Sequence, residues 1–118
     1  MELTTETVDD VTIVVLPGEQ LDAGNAKAFK RDIAAVLEPC RKVVFDLREL
    51  RFVDSSGLGA ILSCLRQLNG KGGELKLCEM TKPVRALFEL VRMHKIFDIY
   101  VTKADALRAL RQREESGL

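Results

Sequence analysis

Few side chains in this sequence could do chemistry, and they are scattered. It has one histidine (His94), one tyrosine (Tyr100), no tryptophan, and cysteines at 40, 64 and 78. A nucleophile–histidine–carboxylate arrangement would have to recruit His94 from "VRMHKIF", and no serine sits in a GxSxG elbow. His94 reads instead as a helix-end residue, where an imidazole suits the negative end of the dipole. The "GKGG" of 70–73 lacks the spacing and hydroxyl of a phosphate loop, and it ends a helical stretch where such a loop should follow a strand. "GLG" at 57–59 is too short for a dinucleotide fingerprint. The odd cysteine count, without CxxC or Cys/His spacing, predicts free thiols packed as small hydrophobes in a reducing compartment. Asp46, Asp54 and the other carboxylates show no pattern that converges on a metal. No catalytic residue, metal or cofactor is expected.

One segment is locally unusual. In "LRFVDSSGLGAIL" (50–62) a short apolar stretch runs directly into Asp54, Ser55, Ser56 and Gly57, then into a Leu/Ile-rich helix. Asp and Ser are residues that cap the orphan amides of a helix start. Gly57 and Gly59 lower helix propensity but allow close packing or close approach. One reading is a plain N-cap with a spare serine. The other is a small hydroxyl held out at the positive end of a helix for a partner or a phosphoryl donor. A phosphate there would add about −1.5 to −2 charges beside Asp54.

The elements that must position this segment follow from periodicity. "LTTETV" and "VTIVVLPG" read as strands joined at Asp9-Asp10, an antiparallel hairpin ended by Pro17-Gly18. "DAGNAKAFKRDIAAVLEP" (22–39) reads as a helix with Ala26, Phe29, Ile33, Val36 and Leu37 on one face. "KVVFDL" is a buried strand, and Val43, Val44 and Phe45 are its expected centre. A helix over 57–69 places Leu58, Ile61, Leu62, Leu65 and Leu68 inward. "ELKLCEM" reads as a half-buried strand. Thr81 precedes a helix with Pro83 in its first turn; "IFDIYV" is a last strand; and Thr102 with Asp105 opens a final helix in a variant of the capping box. The predicted order is β-β-α-β-α-β-α-β-α. This is a single α/β domain over 1–118, with a mostly parallel sheet, an antiparallel N-terminal strand, about four packed helices and a frayed tail over 111–118. Periodicity leaves open whether the helices cover one face of the sheet or both.

Composition sets the class. A chain of 118 residues, 47% hydrophobic and 31% charged, can bury a core and is not disordered in type. Its 18 basic and 18 acidic residues cancel, which argues against direct nucleic-acid binding. No apolar run nears the roughly 18 residues of a membrane span, and "MELTTETVDD" has no leader-like character, so a cytoplasmic protein is expected. Residues 1–22 nevertheless hold six acids and no Lys or Arg. Such an edge either steers a basic partner or consists of solvated strand and turn positions.

"DLRELRFVDSSGLGAIL" (46–62) resembles the signature of bacterial anti-sigma factor antagonists of the STAS domain family. "LPGEQLDAGNAKAFKRDI" resembles the first helix region of that family, and "GGELKLCEMTKPVRALFELVRMHKIFDIY" (72–100) its later strand-helix-strand. "GEQLD" is one residue longer than the compact "GELD" form, and the longer form is familiar from the wider family. The resemblance implies a mixed sheet with packed helices and no catalysis. It implies that the unphosphorylated protein binds an anti-sigma factor that is also an ATP-dependent serine kinase, thereby freeing sigma factor. The kinase phosphorylates the serine after the motif acid, here Ser55, and a PP2C-type phosphatase restores the binding form. By the same resemblance Asp54 is the motif acid, Ser56 the second hydroxyl position, and Gly57, Leu58 and Gly59 the helix opening. Asp22 matches the acid before the first helix, on a surface relatives use for partner contact. The chain is expected to be monomeric when free. The alternative role is a STAS scaffold or an accessory subunit of another regulatory or transporter complex. A small hydrolase built on Asp54 and Ser55 lacks a general base, a phosphate loop and a metal cluster.

Overall fold

The computed structural model describes residues 1–116, with side chains as far as Arg111. Strands β1 (Thr4–Val8) and β2 (Val11–Val15) form the expected hairpin. Asp9 turns it at φ 55, a left-handed conformation that a short polar side chain tolerates. Strand β3 (Gln20–Leu21) precedes helix α1 (Ala26–Leu37). Strands β4 (Lys42–Asp46) and β5 (Phe52–Val53) lead into α2 (Ser55–Asn69). Then come β6 (Glu74–Cys78), α3 (Lys82–Leu90), a 3₁₀ turn at Met93–Lys95, β7 (Asp98–Tyr100) and α4 (Lys103–Ser116). The main sheet runs β1-β2-β4-β6-β7, antiparallel only at β1–β2. Val43, Val44 and Phe45 are fully buried at its centre, as their lack of polar alternation predicts.

The helices divide between the two faces of the sheet. Helices α1, α2 and α3 bury Phe29, Ile33, Leu37, Leu58, Ile61, Leu68, Val84 and Phe88 against Val14, Val43, Phe45, Leu75 and Leu77. The opposite face carries Val11, Ile13, Val44 and Cys78 under Ala106 and Leu110 of α4. This second layer corrects the reading of β6 as half-buried, because Lys76 and Cys78 are buried along with Leu75 and Leu77. The Lys76 ammonium stays paired, 2.6 Å from Asp98 and 3.5 Å from Glu74. The three thiols are free, and burial pushes those of Cys64 and Cys78 up to about 12, so both pack as hydrophobes.

Several expected boundaries move for local reasons. Helix α1 begins at Ala26, four residues later than its composition suggested, because Asp22 and Asn25 hold 22–25 in a hydrogen-bonded loop. His94 lies in the 3₁₀ turn rather than on α3, which stops at Leu90. Leu62, Leu65 and Val36 are only partly buried at the rim of the core. Thr81 makes no side-chain cap for α3; its hydroxyl donates to the Leu50 carbonyl at 2.6 Å and ties α3 to the loop before β5. Thr102 does cap α4, accepting from the Asp105 amide at 3.1 Å. Of the expected frayed tail, residues 117 and 118 lie outside the described residues, and the helical backbone of α4 continues to Ser116.

The two-residue strands β3 and β5 have no counterpart in the predicted order. They pair in parallel as a separate ribbon, Gln20 with Phe52 and Leu21 with Val53. The glycine-rich stretch after α2 also has a structural role. Lys71 donates from Nζ to the Leu37 carbonyl at 2.7 Å and also to that of Glu38, bonding carbonyls at the C-terminal end of α1.

Candidate functional site

The β3–β5 ribbon brings together the two segments singled out in the sequence. Its strands end side by side at Leu21 and Val53, immediately before Asp22 and Asp54. The Asp54 amide donates to the Leu21 carbonyl at 3.3 Å, extending the ribbon to the threshold of α2.

Asp54 is the N-cap of α2, with extended backbone at φ −103 and ψ −172. Its Oδ1 accepts from the Gly57 amide at 3.0 Å, and its carbonyl accepts from the Leu58 amide at 2.9 Å. Its Oδ2 reaches across the ribbon and accepts from the Ala23 amide at 3.0 Å. One carboxylate thus caps the helix and latches the neighbouring loop. The amides of Gly57, Ala23 and Ser56 hold the Asp54 carboxyl below its usual range. The carboxylate is thereby committed to backbone amides rather than to the Ser55 hydroxyl.

The opposing loop is built in the same way. Asp22 Oδ1 accepts from the Gly24 amide at 2.9 Å, and the Asp22 carbonyl accepts from Asn25 and Ala26. Asn25 accepts from the Asp22 amide and donates to the Gln20 carbonyl, both at 2.9 Å. Gly57 makes the close approach possible. A Cβ there would lie 2.1 Å from the Leu21 carbonyl oxygen and 2.9 Å from Val53 Cγ1.

Ser55 and Ser56 occupy the first turn of α2 and are exposed, as are Gly59 and Phe52. A Cβ on Gly59 would meet nothing within 4 Å, so the outer side of this turn is open and low. Asp22, Asp54, Ser55 and Ser56 therefore share one accessible face, while Gly57 lies buried beneath it as the contact between helix and ribbon. Asp46 is not part of this face. It is buried, and its carboxylate accepts from the Arg48 backbone and guanidinium. Among the described residues no group of three or more His, Cys, Asp or Glu side chains could hold a metal ion. None of their helices is long and apolar enough to cross a membrane. Two of the six N-terminal acids form ion pairs within the chain, Asp10 with Lys42 and Glu6 with Lys103, and Asp22 accepts from the Gly24 amide. Phe52, in the sequence simply part of an apolar segment, is exposed on the ribbon.

Comparison with known proteins agrees with this architecture. The STAS domain family matches residues 2–106. Over 112 residues the chain is 36% identical to the anti-sigma F factor antagonist of Paenibacillus polymyxa, covering 93% of this chain and 95% of that protein. The crystal structure of an anti-sigma factor antagonist from Mycobacterium paratuberculosis is similar at a TM-score of 0.83 and 28% identity, over 93% of each chain. The Bacillus cell fate determinant SpoIIAA in its phosphorylated form shares the fold, with a TM-score of 0.67 at 20% identity over 92% of this chain and 99% of that one. With its mixed sheet, its capped α2 and these likenesses over nearly its whole length, the chain belongs to the STAS domain family, among the anti-sigma factor antagonists.

Proposed function

We propose that the unphosphorylated chain binds an anti-sigma factor with serine kinase activity through the face formed by Asp22 and residues 54–56, with Gly57, expected from the sequence to touch the partner, instead packed beneath it, and so releases sigma factor. Phosphorylation of Ser55 ends that binding, and a PP2C-type phosphatase restores it. The observation that carries this reading is the position of Ser55. It is the first residue of α2, exposed, and its neighbour Asp54 is occupied with backbone amides. A hydroxyl so placed is free to attack the γ-phosphorus of an ATP held by the partner. The Oγ–P bond forms, the bond to the β–γ bridging oxygen breaks, ADP leaves, and the hydroxyl proton passes to the partner or to water. The helix dipole and nearby amides then favour the phosphate, so the fold accommodates it.

The bound state does not. A surface shaped for a hydroxyl would face three acceptor oxygens and about −2 charge beside Asp54. The naming of relatives as anti-sigma factor antagonists supports the partner class, and the phosphorylated form of SpoIIAA supports a phosphate-bearing state for this fold. The test is incubation with the host's anti-sigma factor kinases and Mg-ATP, followed by phosphosite mapping. The phosphate is expected on Ser55, retained in Ser56→Ala and lost in Ser55→Ala. Phosphate on Ser56 in the wild-type chain contradicts the assignment.

A further inference from the structure

We infer that Phe52 is the apolar anchor of the docking face, and that it fills an apolar pocket rimmed by Lys or Arg side chains on the anti-sigma factor; this rests on the function proposed above. The pleat of the ribbon sets its direction. Leu21 and Val53 are each only 3% exposed, so they face the core and their predecessors Gln20 and Phe52 face away. Phe52 is left 53% exposed, a large cost for a phenyl ring that its own chain does not cover.

The backbone that carries the ring is held by hydrogen bonds. The Arg51 and Phe52 amides both donate to the Glu19 carbonyl, at 2.7 and 3.0 Å, and the ribbon is latched to α2 through Asp54. An aromatic group on a backbone held in this way loses little freedom on binding, which favours an anchor role. Beside it the first turn of α2 offers only Ser55, Ser56 and Gly59 to solvent, so the ring projects from a low surface that a partner can approach closely.

Charge around the ring indicates the occupant. Glu19, Glu49, Asp22 and Asp54 flank the two strands of the ribbon, against Arg51 and against Arg48, whose guanidinium is already paired with the buried Asp46. A complementary surface therefore has an apolar floor and a basic rim. The other large exposed apolar residues among those described, Met1, Leu90, Val91, Ile96 and Val101, are all non-aromatic and belong to other segments of the chain.

The experiment uses the full chain and, as probe, the host anti-sigma factor kinase, with affinities measured by calorimetry in ADP. Phe52→Ala is expected to weaken binding by about 30-fold or more, with Phe52→Leu in between and thermal melts of both variants close to wild type. Wild-type binding with a Phe52→Ala affinity within twofold overturns the anchor alone. Failure of the wild-type chain to bind any host anti-sigma factor overturns both the anchor and the function it rests on. A wild-type dimer that Phe52→Ala dissolves would give the face to a second copy, and would equally overturn the assignment.

Discussion

At the residue scale Asp54 carries more than a cap. Its two carboxylate oxygens serve two segments, the Gly57 amide in its own helix and the Ala23 amide across the ribbon. This has a consequence for acid stability. The carboxyl is held below its usual range by those amides, so the folded chain binds this proton less readily than the unfolded chain does. The Asp54 contribution is therefore fully present above the unfolded value of about 3.9, declines as pH falls toward the lower folded value, and is absent beneath it. Asp54→Asn is expected to melt at a lower temperature than wild type at pH 7, with the gap closing as the pH is taken through and below that range. A gap independent of pH would show that the ionised carboxylate is not what holds the two loops together. The D-S-S-G segment was legible because capping chemistry is local and reads from residue types alone. The link to Ala23 was not, because it joins residues 31 positions apart through a pairing that no local pattern encodes.

At the scale of elements, the contact between α2 and the ribbon is set by Gly57, and Gly59 two residues on has the opposite surroundings. Gly57→Ala would drive a Cβ into the Leu21 carbonyl, a backbone atom that cannot move without shifting β3. A loss of about 1–3 kcal/mol or more is expected in urea titration. Gly59→Ala enters open space and gains helix propensity, so it should be neutral or stabilising by up to about 1 kcal/mol. Equal effects at the two positions would contradict the packing described. Deeper in α2, Ile61 is fully buried whereas Leu65 is partly exposed at the rim. Ile61→Ala should cost roughly 2–5 kcal/mol, and Leu65→Ala clearly less; the reverse order in denaturant melts would place the core on the other side of the helix. The long elements were legible, since α2 and β4 carry enough periodic residues to declare their faces. β3 and β5 were not, because two residues define no period. The Asp22–Asn25 loop read as helix because its Ala and Asn residues continue into α1, and only the Asp22 and Asn25 side-chain bonds separate the two.

At the scale of the whole molecule, α4 on one face of the sheet and α1–α3 on the other leave the ends of the ribbon as the place where charge, a free hydroxyl and an uncovered aromatic ring coincide. That coincidence could not be read from the sequence. Burial of Lys76 and exposure of Phe52 both depend on which elements cover which face, and periodicity left that open. The sheet core lies beneath this surface and is untouched by a group added at Ser55, so phosphorylation should change recognition rather than folding. The most direct test is the affinity of the host anti-sigma factor kinase for the unphosphorylated chain and for the chain stoichiometrically phosphorylated on Ser55, with thermal melts alongside. Loss of about 3 kcal/mol of binding, roughly 150-fold in Kd, with little change in melting temperature, is the predicted result. Equal affinities for the two forms would contradict the switch.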